Sequence, residues 1–172
     1  GVAFSYGWGD FSAQDVAHVI RQVTADGAIP SDNSAYRIYL GQELAERESR
    51  VVQVDDHTVT FNLKVPEPDF NAEISASHGV MLMHSKRQWD EAGEAESRAR
   101  AAGTGPWKFI KHTPGFSLLW EAKENHHKKS PEFKEFEMVL SPEPATRMAM
   151  LLTGEAHMAE LPRDLHAQMV SQ

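Results

Sequence analysis

The run Gly103-Thr104-Gly105-Pro106-Trp107-Lys108-Phe109 constrains the fold more than any other stretch. Two glycines and a proline make a turn, and the residues after it alternate. Trp107 and Phe109 point one way, Lys108 and Ile110 the other, which is the period of a strand. A second alternating strand places Phe116, Leu118 and Trp120 on one face, after a turn at Thr113-Pro114-Gly115. A third strand is predicted over 133–140. Ser141 should then cap a helix with Pro142 at its first position, and Gly154 should end it. Met148, Leu151 and Leu152 would face a core. A short strand over 157–160 and a last helix over 163–170 complete the pattern. The Gly103 turn is not a phosphate loop, because Pro106 has no N–H to offer and a strand follows instead of a helix.

The first half mixes helices with one hairpin. Ser12 is a good N-cap, with Asp15 three residues on to answer the free amides. Val16, Val19, Ile20 and Val23 recur at helical spacing, until Gly27 and Pro30 end the helix. Residues 30–34 read as a loop, and 35–47 as a second helix with Tyr36, Tyr39, Leu40 and Leu44 on its apolar side. Residues 58–64 alternate, with Val59, Phe61 and Leu63 inward, and pair with 51–54 through a turn at Asp55-Asp56. Pro66 and Pro68 break that strand. A short helix over 69–76, a buried strand over 80–83 and a helix over 86–92 follow. From 94 to 102 the large apolar residues disappear, as in a linker or a poorly packed surface helix.

Composition excludes several roles. The chain has 172 residues, 41% of them hydrophobic, which is enough for a real core. Its formal charge of -8 argues against nucleic acid, which needs clustered Lys and Arg. The local run His126-His127-Lys128-Lys129 reads as a solvated loop. With no cysteine there is neither a disulfide nor a thiolate metal site. No run of about 18 apolar residues could cross a membrane. The nine histidines show no ligand spacing, and His18 lies opposite the apolar stripe of its helix, so all are expected to face solvent. No metal, cofactor or catalytic residue is expected. A small hydrolase using Asp55, Asp56 or a histidine is the rival reading, and a turn is a poor place for it, since Asp is a turn former. A free-standing interaction module is a third.

Several motifs resemble one family. Gly103 to Phe109 is similar to its G-T-G-P-[YFW]-K-F. Pro142 to Arg147 resembles P-x-x-[ST/A]-x-R, and Leu151-Leu152-Thr153-Gly154-Glu155 resembles L-L-x-G-E. Phe11-Ser12-Ala13-Gln14-Asp15-Val16 resembles [F/L]-T-A-E-D-V, and Val54 to Leu63 resembles V-D-D-x-T-V-x-F-x-L. In this order they look like the extracellular solute-binding proteins, family 5, of dipeptide, oligopeptide and nickel ABC importers. The resemblance implies an α+β fold with mixed sheets, a periplasmic-binding-protein-like lobe fragment of type II, cluster C. It implies residues 1–93 as a small peripheral subdomain, 94–102 as linker and 103–172 as part of the main N-terminal lobe, the C-terminal lobe being absent. It implies a periplasmic or extracellular protein, membrane-associated when intact, with its export signal outside this chain. The expected role is capture of a peptide or similar small solute between lobes for delivery to a membrane permease. The expected ligand-binding residues are Tyr36, Tyr39, Gly103, Thr104 and Gly105. Self-association of the fragment is also expected. The chain departs from the pattern at His157, where the family has Asp, and at His126-His127, where many members have an aromatic pair.

Overall fold

In a computed structural model, residues 1–24, 50–75 and 82–165 are described. The chain forms two compact units, Gly1–Lys108 with Lys123–Ser130, and Phe109–Ala122 with Pro131–Gln172. The chain passes between the units at 108/109, 122/123 and 130/131.

In the first unit, helix α1 (Ala13–Val23) packs on the hairpin of β1 (Val51–Gln53) and β2 (Val59–Phe61). The hairpin is antiparallel, with Val51 opposite Phe61 and Gln53 opposite Val59. Val54 N–H donates to Thr58 O at 2.9 Å, closing the turn at Asp55-Asp56. Ala17, Ile20, Val51 and Phe70 form the buried core, with Val59, Phe61 and Leu63 packed against it. The alternation in the sequence thus chose the inward face correctly. Phe70 opens a single helical turn, α2 (Phe70–Glu73), and meets Phe61 edge to face at 5.4 Å.

Helix α3 (Lys86–Ala99) runs further than the predicted 86–92. Gly93, at φ 85° and ψ 168°, breaks it into two pieces, in a conformation a side chain would strain. The second piece is the stretch poor in apolar residues. Of the predicted strand over 80–83, the described residues 82–83 are not strand, and Leu82 is exposed. Instead His84 bridges to Gly103. Buried Gln88 fastens the chain after α3, donating to Arg100 O and accepting from Ala102 N–H, each at 2.8 Å.

One buried carboxylate serves both helices. Asp15 Oδ2 accepts from Ser12 N–H at 2.9 Å and from Ser12 Oγ at 3.1 Å. Its Oδ1 accepts from Lys86 N–H, the first residue of α3, at 2.8 Å. The capping residue read from the sequence therefore also joins α1 to α3.

A sheet in the order β3-β4-β5 is made of β3 (Trp107–Thr113), β4 (Ser117–Ala122) and β5 (Glu135–Val139), all in the second unit except Trp107 and Lys108. Residues Ser117 and Glu121 of β4 face Val139 and Glu135 of β5 in antiparallel register. Trp120 stacks on Phe136 at 5.3 Å and meets Phe109 edge to face at 6.1 Å. Helix α4 (Pro144–Thr153) starts two residues later than predicted: Pro144, not Pro142, takes the first turn. The Ser141 and Pro142 carbonyls instead accept from Arg147 Nη1 at 2.7 Å, and Glu160 O accepts from Arg147 Nε at 2.8 Å. Gly154 does end the helix, in the left-handed conformation. Leu152 is exposed rather than packed, and residues 157–160 are not strand. None of the described residues of this unit is fully buried.

Asp15→Ala should destabilise the first unit by about 2–4 kcal/mol, since it removes a cap and strands the Lys86 amide. Chemical denaturation checks this. Asp15→Asn, which keeps one acceptor, should lose about half as much; a loss below 0.5 kcal/mol, on the order of a surface substitution, would refute the shared cap.

Candidate functional site

The candidate site is the turn at Gly103, Thr104 and Gly105. The Gly103 and Thr104 carbonyls are engaged inside the first unit. Gly103 O accepts from Ser5 N–H, Ser5 Oγ and Lys123 Nζ, each at 3.1 Å. Pro106 O accepts from Lys123 N–H at 2.8 Å. Thr104 O accepts from His126 Nε2 at 3.0 Å, so that nitrogen carries a proton, a carbonyl having none to give. The loop 123–130 is thus clasped to the turn by its own Lys and His. Burial holds the Lys123 ammonium below its ordinary pKa. The other side of the turn is open: a Cβ on Gly103 or Gly105 would meet nothing within 4 Å.

Ser5 belongs to the short turn Ser5–Gly7, whose middle residue Tyr6 has φ 63°, left-handed backbone that non-glycine residues seldom adopt. The Tyr6 ring carries the Arg100 guanidinium at 4.1 Å and the Lys108 ammonium at 5.9 Å. Ser5, Tyr6, Arg100 and Lys123 did not stand out in the sequence, and Lys108 was read only as one face of a strand. The only local sign was Gly7-Trp8-Gly9, which marks a turn but not its partners. The structure thus adds neighbours to Gly103–Gly105. Tyr36 and Tyr39 lie outside the described residues.

His18 is corrected. It is not solvent-facing but 7% exposed, because α3 covers the side of α1 opposite the core stripe. Its ring meets His84 at 5.2 Å and Trp89 at 5.5 Å, edge to face. Burial first, then His84 and Lys86, push His18 from 6.5 to about 4. Burial also lowers His84. Neither Nε2 has a hydrogen-bond partner, which suits neutral rings packed in an apolar seam. The described residues hold no group of three or more metal-ligating side chains.

Asp55 behaves as a turn acid. Its Oδ1 accepts from His57 N–H at 2.7 Å, a bond that lowers its pKa, and the group is exposed. Asp56 contributes its backbone, accepting from Ala13 N–H at 2.9 Å. Neither arrangement is that of a catalytic pair.

The family model for bacterial extracellular solute-binding proteins, family 5, matches residues 1–171, and the chain belongs to that family. The chain is 24% identical over 159 residues to di/tripeptide-binding protein 2 of Pseudomonas aeruginosa, covering 90% of this chain and 30% of that protein. It is 27% identical over 132 residues to the dipeptide-binding protein of Escherichia coli, covering 74% and 24%. The oligopeptide-binding protein AppA of Bacillus subtilis, solved with a nonapeptide, superposes with a TM-score of 0.76 at 18% identity, over 98% of this chain and 32% of that one. The fold is therefore that of a periplasmic binding protein, and its mixture of helices and sheets is the α+β class expected. The chain spans less than a third of the length of these curated relatives. Nothing in these similarities supports the hydrolase alternative.

Below pH 6.5 an unfolded His18 takes up a proton that the folded one refuses until about pH 4. Stability should be complete above pH 6.5 and decline as the pH falls toward 4. Between pH 7 and pH 5 we expect a loss of about 1–2 kcal/mol, allowing for solvent screening. Denaturation series on the wild type and His18→Gln check this: the variant should show the flatter profile, and equal slopes would contradict it.

Proposed function

We propose that the chain supplies part of the N-terminal lobe of an ABC-importer solute-binding protein, which captures a peptide or similar small solute in an inter-lobe cleft. The family match over residues 1–171 carries this reading. Two relatives with peptide-binding names support the ligand class. The intact protein would close around its ligand by hinge motion and hand it to a permease, with no chemistry of its own. It would work outside the cytoplasmic membrane, in the periplasm or at the cell surface, associated with the membrane. No helix among the described residues is long and apolar enough to cross one. Tyr36 and Tyr39 would contact ligand through aromatic area with a polar tip, and Gly103, Thr104 and Gly105 through close backbone approach.

The test is calorimetric titration of di- and tripeptides into an intact family member carrying this sequence. Tyr36→Ala and Tyr39→Ala should each weaken binding by about 1–3 kcal/mol. Folded variants that bind normally would remove the tyrosines from the site. Binding of no peptide by the wild type would overturn the ligand class.

Self-association of the 172-residue chain is part of the same reading. Phe116, Phe133, Phe136, Met138, Val139 and Leu140 are exposed on or beside β4 and β5, and β5 ends its sheet. Such apolar surface and an open edge favour pairing between copies. Sedimentation should show dimers or larger species growing with concentration; a strict monomer at high concentration would contradict this.

A further inference from the structure

Two histidines meet in the seam between α1 and α3, and neither ring has a place for a second proton. His18 and His84 lie edge to face at 5.2 Å, and Trp89 closes the group at 5.5 Å from one and 5.8 Å from the other. The Nε2 of each is shut off from solvent and meets no hydrogen-bond partner among the described residues. A neutral imidazole tolerates this, since one of its nitrogens carries no hydrogen. An imidazolium has an N–H on both, and a buried N–H without an acceptor is costly, more so when charged. A charge on one ring would also repel a charge on the other. The charged groups acting on the pair are Asp15 from α1 and Lys86, Asp90 and Arg98 from α3. Asp15 is bonded to Ser12 and the Lys86 amide, Asp90 to Lys86 Nζ, and Arg98 to Glu94, so none of them is bonded to a ring.

The same seam anchors the chain at the Gly103 turn. His84 bridges to Gly103 through its backbone. Ser85 N–H, one residue on, donates to Ala102 O at 3.2 Å, and Ser85 Oγ accepts from Gln88 N–H at 3.2 Å. Gln88 in turn accepts from Ala102 N–H at 2.8 Å, and Lys86 N–H reaches Asp15 at 2.8 Å. Displacing the His84 ring therefore strains the bonds that hold residues 102 and 103. The hairpin core is built differently: Ala17 and Ile20 of α1 pack on Val51 and Phe70, and neither histidine belongs to it. One side of α1 is held by apolar contact, the other by two rings that must stay neutral.

We propose that His18 and His84 form an acid-operated latch: a proton on either ring opens the seam between α1 and α3 and frees the chain at Ala102 and Gly103, while the hairpin core stays folded. Burial holds both rings below their ordinary 6.5 while the seam is shut, so an open form that accepts the proton gains population as the pH falls below 6.5. The latch goes beyond the solute-capture reading and does not rest on it, since it needs only the first unit.

Residue-resolved hydrogen exchange of the 172-residue chain, corrected for the pH dependence of the exchange chemistry, tests the latch. The Ser85, Lys86 and Ala102 amides should exchange about tenfold or more faster at pH 5 than at pH 7. At pH 5 small additions of urea should scarcely change their rates, the mark of a local opening. The same additions should speed the hairpin amides of Val54 and Asn62, which exchange through global unfolding. His18→Phe and His84→Phe keep an aromatic ring that cannot charge. Each should shrink the rise at pH 5, and the double substitution should abolish it. Asp15 also stands at the seam; if its protonation did the opening, variants shown by circular dichroism to be folded would keep the whole rise, and the latch would be overturned. Seam amides as protected and as urea-sensitive at pH 5 as those of the hairpin would overturn it too, leaving only global unfolding. Either failure would leave peptide capture by the intact protein untouched.

Discussion

The first unit depends on a single buried carboxylate. Asp15 caps its own helix through Ser12 and also takes the first amide of α3 at 2.8 Å. A helix start leaves amides that must find acceptors, and a buried one left unmet is costly. By using both oxygens, Asp15 satisfies two helix starts at once and sets how α1 lies on α3. The seam that results buries His18 against His84 and Trp89, and burial in turn keeps His18 neutral. A cap visible in the sequence is therefore the origin of a histidine environment that was not.

The path of the chain out of α3 follows from the same seam. Ser85 N–H donates to Ala102 O at 3.2 Å, Gln88 holds residues 100 to 102, and His84 bridges to Gly103. This places Gly103 O where Ser5 and Lys123 can both reach it. Two segments close on that one carbonyl, while a Cβ at Gly103 would meet nothing within 4 Å. The turn is hydrogen-bonded on its carbonyl side and open on its Cα side.

What could be read in advance divides by range of interaction. The Ser12 cap, the 59–63 alternation and the stop at Gly154 are local and came through correctly, since propensity and pattern decide them within a few residues. Pro142 and Pro144 both fit a first turn, and pattern alone could not choose between them; the Arg147 bonds to Ser141 and Pro142 carbonyls keep that stretch outside the helix. His18 was misread because the side of α1 away from its apolar stripe is covered by α3, sixty-odd residues later in the chain. Likewise Tyr6, Arg100 and Lys123 meet only through the fold, and no spacing rule joins them. Gly103 to Pro106 was legible as a turn, and the charged residues around it were not.

The motifs that carry the family resemblance turn out to be structural fasteners. Asp15 of the helix-entry motif joins two helix starts. Asp55 of the hairpin motif accepts a hydrogen bond within its own turn. Arg147 of the proline motif holds three carbonyls, and Gly103 of the turn motif gathers three hydrogen bonds. Such residues answer to backbone geometry, which does not change with the ligand. A family can therefore be recognised over 171 residues while the solute goes unread. Ligand preference has to lie where the chain departs from its motifs or has none. His126 binds Thr104 O through a ring nitrogen, and its loop, which carries Lys123, closes on the turn. The surroundings of Gly103 are thus polar, while the Cα side of the turn stays open.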